Sequence, residues 1–201
     1  MPDLILDFRW YRDPKGYRLV PAKVGKRRVG QSELDTLVEE VHPARIVRNG
    51  GALQSYQPLK IPKLFMYFAD MANSDDGVLK FVQTYGPLTH HGLRKDGDVV
   101  PAMIDEAEDM TKALRGGSVS RMMTKVDAWV VTDQTGMRFK VSPVSLLDAM
   151  WLQLVQSKSK FRECLQCAKP FEAGVGGRRA DAKFCSDKCR ITYNSLERSR
   201  R

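Results

Sequence analysis

The stretch Cys164-Leu165-Gln166-Cys167, then seventeen residues, then Cys185-Ser186-Asp187-Lys188-Cys189, contains all four cysteines of the 201-residue chain. A short Cys-x-x-Cys turn lets two sulfurs converge on one ion, and a loop of this length brings back a second pair to complete a tetrahedron. The spacing therefore predicts a four-thiolate centre for one structural Zn2+, with Cys164, Cys167, Cys185 and Cys189 as its ligands.

The neighbouring residues indicate how the chain reaches the ion. Pro170-Phe171 follows the first pair, and Gly174, Gly176 and Gly177 divide the loop. Ser186 is a good helix N-cap, with Asp187 beside the positive end of the helix dipole. The first pair is thus expected on a knuckle before a hairpin and the second at a helix N-terminus, which is a treble-clef arrangement.

The run C-L-Q-C-A-K-P-F (164–171) with R-R-A-D-A-K-F-C-S-D-K-C-R (178–190) resembles the bacterial treble-clef fingers of the CGNR zinc-finger family. The resemblance covers roughly residues 161–198, and Cys189-Arg190-Ile191-Thr192 stands where that family carries Cys-Gly-Asn-Arg. It implies a helical N-terminal domain before a C-terminal finger, and a role in transcription regulation.

Charge is unevenly placed. The chain carries a net +9, and residues 157–201 account for +7 of it, with twelve Lys/Arg against five Asp/Glu. A basic end of this kind suits a polyanionic partner, although four thiolates on one Zn2+ return negative charge to the same region. On the last helix Arg190, Asn194, Arg198 and Arg201 form one stripe, while Cys189, Tyr193 and Leu196 form the face expected to turn to the zinc. Arginine can read guanine and asparagine adenine, and Arg178, Arg179 and Lys183 on the loop could hold phosphates. These residues make up the candidate nucleic-acid surface, DNA before RNA. The alternative reading is a protein- or ligand-binding module in which zinc merely holds the C-terminus together.

Catalysis is the least supported class. No histidine follows His91, as an HNH-type nuclease finger needs, and a four-thiolate ion has no open position for a reacting water. His42, His90 and His91 read as ordinary loop residues, and Asp105, Glu106, Glu108 and Asp109 as the solvated side of a helix. No apolar run approaches the ~20 residues that span a bilayer, and Met1-Pro2-Asp3-Leu4 lacks the pattern of a signal peptide. Thiols kept for a metal suit a reducing, cytoplasmic setting.

The expected fold is α+β: a mainly helical N-terminal body with two β-hairpins (residues 1–158), plus a C-terminal treble-clef zinc finger (residues 159–201). The body is where a regulator of this type would sense a ligand or form a homodimer. Alternation from Leu4 to Tyr11, the turn Asp13-Pro14-Lys15-Gly16 and Tyr17 to Val20 predict the first hairpin. Lys23 to Gly30 reads as a charged loop, and Ser32 as the cap of a helix running to about Val41. Helices follow from Pro62, from Ser74 to Tyr85 and from Pro101 to about Arg115. Ala128 to Val141 predicts the second hairpin, which could join the first in one sheet. Ser142-Pro143 opens the last helix of the body, against which the finger is expected to dock.

Overall fold

A computed structural model describes residues 4–6, 8–29, 36–94, 96–121, 126–133, 136–157, 160–174 and 179–199. The expected capping residue Ser32, the loop glycines Gly176 and Gly177, and the boundary between residues 158 and 159 lie outside these described residues.

The helices anticipated from apolar spacing are present as α1 (Leu64–Met71), α2 (Asp75–Tyr85) and α3 (Val100–Leu114). Ser74 caps α2 by accepting a hydrogen bond from the Gly77 N–H, as its side chain predicts. Helix α4 (Leu146–Gln156) begins later than expected. Ser145, not Ser142, is its cap, accepting from the Asp148 N–H at 3.0 Å and donating to the Asp148 carboxylate at 2.6 Å. Ser142 and Pro143 remain extended because they pair with Asp127 and Val126.

The body is not mainly helical, and that expectation is corrected. Among the described residues there are twelve short strands in five small sheets, with five α-helices. The segment that reads as a helix is strand β5 (Thr36–His42), antiparallel to β4 (Lys23–Val29), which reads as a loop. Thr36, Val38 and Val41 favour an extended backbone, and Lys26 stands directly opposite Glu39, a favourable cross-strand pair.

The first hairpin is also rearranged. The turn at Asp13 forms, with the Gly16 N–H donating to the Asp13 carbonyl at 2.9 Å. Its flanking strands, however, pair elsewhere. Strand β2 (Trp10–Arg12) joins β7 (Gln54–Tyr56), and β3 (Tyr17–Val20) joins β6 (Arg45–Arg48), which also carries β8 (Asp98–Val99). The cause is the Asp13 side chain. Its carboxylate accepts from the N–H groups of Lys15, Gly50 and Gly51 and from Arg48 Nε, drawing the 49–51 turn against the 13–16 turn. The second hairpin forms as β9 (Val126–Asp133) and β10 (Gly136–Pro143), and β1 (Leu4–Leu6) adds to β10 in parallel.

One apolar core unites these elements, with Trp10, Ile46, Phe65, Phe68, Phe81 and Met150 among its fully enclosed side chains. Trp10 donates its indole N–H to the Pro87 carbonyl at 2.6 Å, which satisfies its one polar atom. His90 lies against the same indole at 5.5 Å, and His42, read as a loop residue, is the exposed last residue of strand β5.

Asp98 is buried at the end of this core, where the N–H groups of Leu88 and Thr89 and the Thr89 hydroxyl donate to it. Burial outweighs those donors and pushes its pKa up to about 6. A carboxyl whose folded pKa is raised binds its proton more tightly in the native state. Its contribution to stability is therefore fully present below the unfolded value of 3.8 and is lost as pH rises through about 6. Carbon-detected NMR titration of the Asp98 carboxyl should give a midpoint near 6, and a midpoint in the ordinary aspartate range would refute this.

A smaller C-terminal unit follows: strands β11 (Lys160–Glu163) and β12 (Pro170–Ala173) form a hairpin, and helix α5 (Asp187–Ser199) closes the chain. Its tethers run to α1 and α3, whereas the sequence points to α4. Phe161 meets Phe65 edge-on at 5.8 Å, Arg115 pairs with Glu163 at 2.9 Å and Lys169 with Asp70 at 2.6 Å. Lys63 reaches the buried Glu172 of β12.

Candidate metal centre

The two halves of the cysteine cluster are placed by different local devices. In the first, the Ala168 N–H donates to the Cys164 carbonyl at 2.9 Å and the Cys164 N–H to the Lys169 carbonyl at 3.0 Å, closing a knuckle between β11 and β12. Ala168 adopts the left-handed conformation there, with φ of 56°. In the second, Ser186 accepts from the Cys189 N–H at 3.3 Å and so caps α5, as its position predicts. The Leu165 N–H bonds the Lys183 carbonyl at 3.0 Å, drawing the two halves together.

As a result the four sulfurs lie within 4.8 Å of one another. Cys167 Sγ is 3.7 Å from Cys185 Sγ, and Cys185 Sγ is 3.5 Å from Cys189 Sγ. Both separations far exceed a disulfide bond of about 2.05 Å. They approach the edge of about 3.8 Å expected for a tetrahedron with metal–sulfur bonds of about 2.3 Å. The cluster can hold a metal ion, and its donor set of four soft thiolates suits zinc.

The electrostatics point the same way. Cys164 is buried, which by itself would raise its pKa, but N–H donors from Cys185, Cys167 and Gln166 draw it down to about 6. Burial and the neighbouring sulfurs push Cys185 up to about 12. One thiolate is thus favoured at the expense of its neighbours, and a divalent cation among them removes that conflict. Around the sulfurs, Phe171 and Ala173 are buried and Phe184 packs against Tyr193 at 5.3 Å.

The knuckle is open to improvement. A left-handed backbone costs an L-residue about 1–2 kcal/mol that glycine avoids. The exposed Ala168→Gly should therefore raise the unit's stability by about 1 kcal/mol, read as slower metal release to a competing chelator. Faster release would contradict the assignment.

The candidate nucleic-acid residues are distributed less simply. Arg179, Lys183, Arg190, Asn194 and Arg198 are spread over the surface of the unit, while Arg178 and Arg201 lie outside the described residues. Arg179 forks onto Asp181 at 3.0 and 3.3 Å, and Arg190 pairs with Asp187 at 3.0 Å, so both already have a local carboxylate. Of the face expected to turn inward on α5, Cys189 and Tyr193 are half-buried but Leu196 is exposed. That face ends at Tyr193 because the hairpin contributes only a small cluster for it to meet.

Four buried charged sites escape a reading of the sequence, since aspartates, arginines and glutamates carry no periodic signal of burial. These are the Asp13–Arg48 pair, Asp98, Glu172 with Lys63, and Asp148 with Arg121 beside it at 3.4 Å. On α3 Asp105, Glu108 and Asp109 stay at the surface as expected, but Glu106 pairs with Arg121 and accepts from the Trp151 indole at 3.1 Å. No helix among the described residues is long and apolar enough to cross a membrane. Comparison of the chain with family models, curated proteins and solved structures finds no match.

Proposed function

We propose that residues 159–201 form a treble-clef zinc finger that presents α5 to a nucleic acid, DNA first, as part of a transcription regulator. The carrying observation is that α5 buries none of its described residues while its N-terminal turn is rooted in the cysteine cluster. Arg190, Asn194 and Arg198 thus extend from a fixed base, in the region that carries most of the net positive charge. The resemblance to the CGNR fingers supports the same reading. The ion is structural here, since four protein thiolates fill a tetrahedron and leave no position for a reacting water.

The test is binding of the full chain to random-sequence DNA across a salt series, beside a variant carrying Arg190→Ala, Asn194→Ala and Arg198→Ala. For every phosphate that the variant no longer neutralises, the slope of log K against log salt should flatten by about 1. An unchanged slope would make the stripe a solubilising surface. A second reading then takes its place: Ile191 and Leu196 on α5 are 64% and 50% exposed, an apolar pair suited to a protein partner.

A further inference from the structure

The body carries a second cationic feature, remote in sequence from the cysteines. Strands β3 and β6 pair with Arg18 opposite Val47 and Val20 opposite Arg45, so these four side chains share one face of the sheet. The other face, with Tyr17 and Ile46, is buried in the core. Where a solvated face would be flat, this one is walled. Leu93 and Arg94 border it together with Asn49-Gly50, leaving an open groove of about 780 Å3.

Its charge is strongly one-sided. Arg18, Arg45, Arg48 and Arg94 line it, and Asp96 is the one acid among the described residues of the lining. Arg48 is held in place, donating to Asp13, to the Leu93 carbonyl at 3.0 Å and to the Gly51 carbonyl, and so acts as a rigid wall. Arg18 gives one N–H to Asn49 at 3.2 Å and Arg45 one to the Asp96 carbonyl at 3.0 Å, and the rest of each guanidinium fork has no hydrogen-bond or ion-pair partner among the described residues. The guanidinium of the exposed Arg94 makes no ion pair or hydrogen bond with any described residue. The guanidinium groups of Arg18, Arg45 and Arg94 thus belong to residues that line one groove together with half-buried Val20 and Val47.

We infer that this groove binds a phosphate ester. Guanidinium forks match the oxygens of a phosphate in pairs, and the two valines accommodate an uncharged organic part beside them. Free carboxylates fit less well, since a single planar anion would engage one fork and leave the other cations opposed to each other. The phosphate could belong to a free nucleotide or to a nucleic-acid backbone, and the volume admits either. The inference does not depend on the finger.

Calorimetric titration of the full chain at low salt with pyrophosphate and with ATP addresses the free ligand. Titration with a short thymidine oligonucleotide addresses the backbone. It is made in the full chain carrying Arg190→Gln and Arg198→Gln, so that α5 does not answer for the sheet. At least one probe should bind, and Arg18→Gln with Arg94→Gln should weaken it about tenfold for each cation removed. Binding of ATP identifies a free phosphate ester as the ligand; binding of the oligonucleotide alone identifies a nucleic-acid strand; binding of pyrophosphate alone, which is no ester, overturns the inference. Both Arg18 and Arg94 are exposed, and Arg94→Gln alone breaks no side-chain hydrogen bond or ion pair with a described residue, so a folded variant is available in every case. No binding by any probe, or binding indifferent to these substitutions, overturns the inference.

Discussion

Removing metal from the purified chain with a strong chelator, or replacing Cys185 by serine, should unfold α5 and the β11–β12 hairpin while leaving the body folded. Among the described residues the C-terminal apolar cluster buries Cys164, Phe171 and Ala173, too small a core to offset the entropy of ordering some forty residues. A structural zinc supplies about 10–16 kcal/mol of apparent binding free energy at neutral pH toward that cost. Cys185 lies within 3.7 Å of Cys167 and 3.5 Å of Cys189, so its replacement removes the sulfur that links the two pairs. Elemental analysis should find one zinc per chain before chelation. Hydrogen exchange should show loss of protection confined to β11, β12 and α5. Sustained protection of α5 in metal-free protein would refute the centre. Acid should release the metal in the same way, because protons compete for the thiolates.

The second large effect is expected in the body. Asp13→Ala removes the acceptor for three backbone N–H groups and for Arg48, from a side chain with no exposed surface. Breaking a buried ion pair by deleting one partner costs about 3–5 kcal/mol, much of the ~5–15 kcal/mol by which a domain is stable. The loss should appear as a lower urea midpoint for the main transition. It should also change the pH profile. Burial would raise the Asp13 pKa, but the Gly51 and Lys15 N–H groups and the Arg48 guanidinium outweigh it and hold the value below 3.8. A depressed carboxyl contributes stability above its unfolded pKa and loses it as pH falls through the folded value. The acid limb of the wild-type profile should therefore flatten in the variant. Asp98, raised by burial, acts in the opposite direction and remains. An unfolding free energy within about 0.5 kcal/mol of wild type, the scale of ordinary surface substitutions, would show that the two turns are held together by other means.

The candidate centre is largely legible in the amino-acid order. The spacing of Cys164, Cys167, Cys185 and Cys189 marks the cluster, and Ser186 marks the cap of the helix that carries its last ligand. Helices α1 to α3 are legible for the same reason: their apolar stripes, and in α2 the Ser74 cap, are encoded within a few neighbouring residues. Gly77 shows where such reading stops. In isolation it weakens α2, yet a Cβ there would lie 1.8 Å from the Met71 carbonyl, so the close approach of α1 requires it.

The strands divide on the same principle. Residues 126–133 pair with residues 136–143, close in sequence, as their content of β-formers around a glycine suggests. Residues 10–12 and 17–20 are extended on either side of the Asp13 turn as expected, but they do not pair with each other. Their hydrogen bonds go to Arg45–Arg48 and Gln54–Tyr56, brought there by a buried Asp13 carboxylate. Metal spacing, helix caps and turns are local properties, with energies set by residues a few positions apart, and they follow from the order of amino acids. Strand partners, buried charges and the cationic face of β3 and β6 depend on contacts between distant segments. Those are chosen only when the whole core closes around them.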